Sequence, residues 1–222
     1  MEKERERIVG PLLLLVVGAS GSGKTAVLDP LKHELADIAV HEFDEIGVPS
    51  DAMPSWRQRA NEEWLRTIID HHDGASAVLL LGQTPLGELL ATPSAVQLGG
   101  IASCLLDCED EARQSRLDQR AGCTQEKMEW HLEWSGWLRG HALDPQWRQE
   151  VIKHPYAPPE LDWQRWATWP RGDPRWHCRV IDTTALTVSA VADELARWAR
   201  DQHETYRRGR LPLSGRWWLR NC

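Results

Sequence analysis

Aromatic residues other than tryptophan are nearly missing from this sequence, which has one Phe and two Tyr against 13 Trp in 222 residues. Cysteine is sparse as well. Cys104, Cys108, Cys123, Cys178 and Cys222 are odd in number and match no zinc-ribbon or thioredoxin spacing. Neither a disulfide framework nor a structural zinc site is expected, and reduced thiols are the simple reading. No apolar run approaches the ~20 residues that a membrane helix needs. A basic excess is missing too. The net charge is −7 and the pI about 5.7, so no global field attracts nucleic acid. Leu12–Val17 is too short for the apolar core of a signal peptide and has no cleavage site after it. A cytoplasmic protein with no nucleic-acid and no membrane partner is the expectation. The guanine-reading tetrapeptide Asn-Lys-x-Asp is also absent, which argues against a switch GTPase.

What is present is Gly18-Ala19-Ser20-Gly21-Ser22-Gly23-Lys24-Thr25, the pattern G-x-x-x-x-G-K-T. The bare apolar segment Leu12–Val17 precedes it, and Val27, Leu31 and Leu35 come after it at a helical spacing of four. Strand, glycine loop and helix thus come in the order a phosphate-binding loop requires. Gly18, Gly21 and Gly23 allow a tight turn whose N–H groups point inward at phosphate oxygens. Lys24 adds a point charge for the β- and γ-phosphates, and the Thr25 hydroxyl suits Mg²⁺. A nucleoside triphosphate and Mg²⁺ are therefore the expected ligands.

Further apolar segments lie at Ile38–Phe43, Ala77–Leu81, Ile101–Leu106 and Cys178–Ile181, separated by helical patterns. That alternation predicts right-handed βαβ units and an α/β fold of three α/β/α layers around a five-stranded parallel sheet. Ligands in such sheets sit beyond the C-terminal strand ends. There the sequence places the P-loop, Asp44-Glu45, Gln83-Thr84 and Asp107. Residues 1–10 read as a charged tail, 11–205 as the P-loop domain, and 206–222 as a basic, poorly ordered tail. Pro30 predicts a kink or early break in a P-loop helix running from about Gly23 to Ala36. Thr187 is the expected N-cap of a final helix with a Val188, Val191, Leu195 and Trp198 stripe.

Eleven of the 13 Trp fall from Trp130 onward, and residues 124–176 form a Trp-rich helical insertion read as two helices and a Pro-rich loop. Trp130, Trp134, Trp137 and His141 lie on one stripe of one helix. That stripe is either packing on the domain, a wall of the acceptor pocket containing Trp134, or a protein-partner surface.

With these signals in place, the chain resembles the P-loop small-molecule and nucleotide kinases, in particular the shikimate, gluconate and chloramphenicol phosphotransferase branch. The resemblance spans roughly residues 12–120 and 180–198. It implies that Asp44 binds the acceptor hydroxyl and acts as its base, with Mg²⁺ close to Thr25 and Asp44. It implies that Arg57 or Arg59 clamps an anionic group of the acceptor, and that Gln83 contacts it from the turn after the third strand. Arg116 and Arg120 match an R-x-x-x-R pattern that stacks on adenine and reaches the phosphates, while Asp182 and Thr183 match the loop beside the adenine. Where shikimate kinases have Gly-Gly-Gly, this chain has Gly82-Gln83-Thr84. Ordinary surface salt bridges from Arg57 and Arg59 to Glu62 and Glu63 remain an alternative. The expected activity is ATP-dependent transfer of the γ-phosphate to a hydroxyl of a small-molecule acceptor, with Lys24, Asp44, Arg116 and Arg120 as the catalytic set. A nucleotide-dependent ATPase or regulator, whose Asp-Glu at 44–45 comes after an apolar strand, and a nucleoside or nucleotide kinase are the rivals.

Overall fold

The computed structural model describes residues 10–72, 76–120 and 124–215. The charged start, Cys123, Cys222, Arg216 and Arg220 lie outside the described residues. Strand β1 (Leu12–Val17) is apolar at every position and at most 4% exposed, because it is the middle strand of the sheet. It pairs with β3 (Ala77–Gly82) on one side and β4 (Gly100–Asp107) on the other. β2 (Ala39–Glu42) flanks β3, and β5 (Cys178–Asp182) flanks β4, so five parallel strands run in the order β2-β3-β1-β4-β5.

The two-residue period of a strand divides the apolar residues between two faces. Leu12, Leu14, Val16, Leu79 and Leu106 pack against α1 (Leu28–Glu34) and α6 (Val188–Arg207) through Leu31, Val191 and Leu195. Leu13, Leu15, Val17, Leu80 and Leu105 face the other layer. That layer contains α2 (Pro54–His71), α3 (Leu86–Ala91) and α5 (Gln125–Leu143), while α4 (Asp110–Asp118) comes directly after β4. Helices on both sides of a parallel sheet complete the three layers.

Three sequence expectations change. The P-loop does not feed straight into a long helix: a 3₁₀ turn, Thr25–Val27, precedes α1. Pro30 is consequently the third residue of α1, where its missing N–H would have no intrahelical partner. It marks a helix start and causes no kink. The Trp-rich region holds one helix, α5, instead of two. Pro145, Pro155, Pro158, Pro159, Pro170 and Pro174 interrupt the chain beyond α5, leaving 3₁₀ turns at Gln149–Val151, Trp163–Arg165 and Pro174–Trp176. Finally, the basic segment from Tyr206 packs into the domain as far as Gly215. Tyr206 is fully buried and donates its hydroxyl to Gly10 O (2.7 Å), Leu211 and Leu213 are 4% exposed, and Ile101 N–H donates to Leu213 O (2.9 Å).

Candidate active site

The loop between β1 and α1 wraps a site at the C-terminal strand ends. Gly21 and Gly23 have φ of 82° and 99°, a region that disfavours any side chain, and these glycines give the loop its reversal. Gly18 is required for a different reason. A Cβ there would meet Ser22 Oγ and the Leu106 carbonyl oxygen, which lies 2.8 Å away. Ser22 N–H donates to Ala19 O (3.2 Å) and closes the turn.

Lys24 folds back across this loop and donates to Gly18 O (2.6 Å) and Ala19 O (3.1 Å). Its ammonium is thereby parked at the mouth of the nest, where a phosphate can take it over. Burial pulls its pKa down to about 8, the Arg113 guanidinium adds to that, and the Glu42 and Asp44 carboxylates oppose it. Thr25 Oγ1 donates to Glu42 Oε1 at 2.7 Å.

Ser20, Gly21, Gly23, Lys24, Thr25, Glu42, Asp44, Gln83 and Arg120 line one open cavity. Four separate segments converge there, as the strand-end rule requires. Asp44 lies in the 3₁₀ turn Phe43–Ile46 just past β2. Burial, then the neighbouring Glu42 carboxylate, raises its pKa, with Lys24 pulling the other way. A carboxylate of raised pKa is a stronger proton acceptor, which suits a base acting on a hydroxyl. The side-chain oxygen of Gln83 is buried without a hydrogen-bond partner.

Thr25 and Glu42 form an oxygen-only pair of the kind Mg²⁺ takes, usually completed by water and substrate phosphates. Among the described residues no group of three or more His, Cys, Asp or Glu is gathered for a metal. A magnesium ion here would thus be held jointly by the protein and the phosphates of a nucleotide.

Arg116, Thr183 and Asp182 lie behind the loop. Arg116 donates to Gly21 O (3.1 Å), Thr183 Oγ1 (3.0 Å) and Thr183 O (2.6 Å). Thr183 is 2% exposed and donates its hydroxyl to Ser22 O (3.1 Å). Asp182 accepts from the Thr184 amide (2.9 Å) and hydroxyl (2.6 Å), which hold its carboxyl below the usual range. Together they buttress the P-loop against the end of β5. The edges of the Arg116 guanidinium are occupied, while such a fixed plane keeps its faces for stacking.

Three residues nominated for the acceptor, Arg57, Arg59 and Trp134, do not line the cavity. Arg57 donates to both oxygens of Glu88 (2.8 and 2.8 Å) and lies 4.8 Å over the Trp134 ring. Trp134 is 7% exposed and stacks between Trp130 and Trp137. Arg59 is exposed and contacts Ser55 on its own helix at 3.5 Å.

Two residues escaped the sequence reading. Glu42, the last residue of β2, contacts Thr25 and sits one alternation before Asp44. Arg113 is fully buried beneath the loop, donating to Ser20 O (2.7 Å) and Asp107 Oδ1 (2.6 Å). Asp107 also accepts from Arg139 on α5, which in turn reaches Asp110 (2.6 Å). Arg113 shared a helical run with Arg116 and Arg120, and spacing alone does not say which arginine turns inward. His131, nearby on α5, has its pKa lowered by burial and then by the charges of Arg113 and Arg120.

No family model matches this chain, and no curated protein matches it in sequence. Solved structures do match in shape. A tunicamycin resistance protein from Deinococcus radiodurans is 17% identical with a TM-score of 0.50, over 85% of this chain and 95% of that one. Thymidylate kinase from Candida albicans is 14% identical with a TM-score of 0.50, over 89% of this chain and 94% of that one. The P-loop kinase fold is shared; identities this low speak to fold alone.

Proposed function

We propose that this protein is an ATP-dependent phosphotransferase that moves the γ-phosphate onto a hydroxyl of a small-molecule acceptor. The observation that carries the proposal is the meeting of Lys24, Thr25, Glu42, Asp44, Gln83 and Arg120 around one cavity. Phosphoryl transfer demands positioning and charge stabilisation more than covalent help from the protein, and these residues offer both.

The P-loop amides and Lys24 would hold the β- and γ-phosphates at the start of the helical segment. Thr25 and Glu42 would hold Mg²⁺, whose chemistry is to neutralise charge on the phosphate oxygens. Arg116 offers a face to the base from its fixed position between Gly21 and Thr183. Asp44 takes the proton of the acceptor hydroxyl as that oxygen bonds to phosphorus and the bond to the leaving ADP oxygen breaks. Arg120, at the cavity rim, places its charge where the equatorial oxygens gain negative charge.

Asp44→Asn tests the assignment. The amide keeps the shape and loses the proton acceptor, so ATP-analogue binding should persist while transfer falls by about 10²–10⁴. Normal transfer by this variant would overturn the role of Asp44. A regulator that docks a protein through its tryptophans is the weaker reading. Trp134, Trp137, Trp166, Trp169 and Trp176 are at most 7% exposed and so already belong to the interior.

A further inference from the structure

We propose, on the basis of the phosphotransferase reading, that Arg139 on the Trp-rich helix α5 is a positioning residue for the nucleotide. It docks the start of α4 and, through α4, fixes the P-loop in the conformation that takes phosphate.

Arg139 does not line the strand-end cavity. Its guanidinium instead bonds three groups at the junction of β4 and α4. Nε donates to Asp107 Oδ2, and one terminal nitrogen donates to Cys108 O (2.8 Å) and Asp110 Oδ1 (2.6 Å). Asp107 ends β4, and Asp110 opens α4. A planar fork spans such a set of partners at once, which a single ammonium does not. Helix stability does not account for the placement, because the dipole of α4 disfavours a cation at its N-terminal end. α5 is a rigid base for the clamp, since Trp134, Trp137 and Leu138 are packed in the core.

The other side of the same junction holds the P-loop. Asp107 gives its second oxygen, Oδ1, to Arg113 (2.6 Å), and Arg113 donates to Ser20 O (2.7 Å). One turn further along α4, Arg116 donates to Gly21 O (3.1 Å). Two loop carbonyls, both from residues that line the cavity, are thus held from α4. In a trans peptide the C=O and N–H point in opposite directions, so the Arg113 bond to Ser20 O turns the Gly21 N–H away from Arg113. A phosphate nest depends on that orientation of its amides. Arg120, two residues past α4, reaches the cavity from the same segment.

Asp107 is the common point. With an arginine on each oxygen its carboxylate has one orientation. Without Arg139 it keeps the Arg113 bond but loses the second constraint, and the first turn of α4 loses its bonds at Cys108 and Asp110.

The test uses the full chain and a non-hydrolysable ATP analogue with Mg²⁺, so no acceptor is needed. The Arg139 side chain is 34% exposed against 0% for Arg113, so Arg139→Met should stay folded, as denaturant unfolding can verify. Its analogue Kd should rise about 2–30-fold, the range for residues that act through a packed network. Arg139→Lys keeps the charge without the fork and should recover less than half of the loss. Arg175→Met removes an arginine bonded to Asp173 and lying over Trp169, in the 3₁₀ turn before β5, and should leave the Kd unchanged. Should Arg139→Met fail to fold, Asp110→Ala removes the α4 end of the clamp at a more exposed position and should raise the Kd in the same direction.

A folded Arg139→Met protein with the wild-type Kd would overturn the role of Arg139, as would an unchanged Kd in Asp110→Ala where that variant stands in. Full recovery by Arg139→Lys would leave only an effect of charge, and an equal loss in Arg175→Met would mark a general loss of packing; either result defeats positioning by the fork. A wild-type protein that does not bind the analogue at all defeats the nucleotide reading itself, so the two failures are separable.

Discussion

Lys24 must be protonated to attract phosphate, yet it sits among groups that push its proton off. Its pKa of about 8 comes from burial and from Arg113, and a bound phosphate would restore the charge. Nucleotide affinity of the free protein should therefore be highest below pH 8 and fall as pH rises through it, approaching tenfold per pH unit. Stability of the nucleotide-free protein has the opposite sign. From about pH 8 to 10.5 the unfolded chain holds a proton on Lys24 that the folded chain has lost, so this residue's contribution to stability rises with pH. Analogue binding and denaturant unfolding across pH 7–10 check both directions, and an affinity flat through pH 8 would contradict the assignment. Glu42 yields a second prediction at this scale. Glu42→Gln removes the charge from the Thr25–Glu42 pair and should weaken apparent Mg²⁺ affinity by about 10–100-fold. Saturating Mg²⁺ should restore most turnover, whereas a loss that no Mg²⁺ concentration corrects would point elsewhere.

Elements in this protein are joined at the site by buried charge. Arg113 on α4 ties the P-loop carbonyl of Ser20 to Asp107 at the end of β4, and Asp107 ties on to Arg139 of α5. Burial raises the cost of breaking such a pair, because the partner left behind keeps its charge. Arg113→Ala should lower stability by about 3–5 kcal/mol, measured by denaturant unfolding, and weaken nucleotide binding as well. Arg120→Ala, at an exposed rim position, should leave stability within about 0.5 kcal/mol and lower turnover. Equal destabilisation by the two variants would contradict the distinction. Both arginines lie beside acidic residues in one short run, so their different fates come from the packing of α4 beneath the loop.

At the scale of the whole molecule, Trp134, Trp137, Trp166, Trp169 and Trp176 are interior material for the face of the sheet opposite α1 and α6. Trp134, Trp137 and His141 stack along α5 at 4.9 and 4.5 Å, and Trp166 and Trp176 close around His141 at 5.6 and 4.9 Å. His141 is 2% exposed, neither ring nitrogen has a hydrogen-bond partner, and burial, aided by Lys153, lowers its pKa to about 3. The folded protein keeps this imidazole neutral, while the unfolded chain protonates it near pH 6.5. Its contribution to stability is therefore lost progressively as pH falls from 6.5 towards 3. His141→Phe keeps the ring and removes two unpartnered polar atoms, each costing about 1–3 kcal/mol when buried. The variant should melt higher at pH 7 and lose less stability between pH 7 and pH 5 than the wild type. An unchanged acid dependence would show that carboxylates alone govern it.

Gly18–Thr25, the apolar strand before it and the βα alternation after it were legible from composition and spacing, because the contacts that define them are local. A glycine loop, a buried strand and the Thr187 cap, which accepts the Ala190 amide at 3.2 Å, each depend on residues within a few positions. The partner of each charged side chain was a different matter. Arg57 pairs with Glu88 across 31 positions, Arg113 with Ser20 across 93, and Thr25 with Glu42 across 17. The same holds for the segment from Tyr206, whose arginines read as a poorly ordered tail while Leu211 and Leu213 are buried and Leu213 O accepts from Ile101 N–H of β4. Local spacing shows which residues share a helix face or strand end. Long-range packing decides which of them meet, and a buried charge takes its role from whatever it meets.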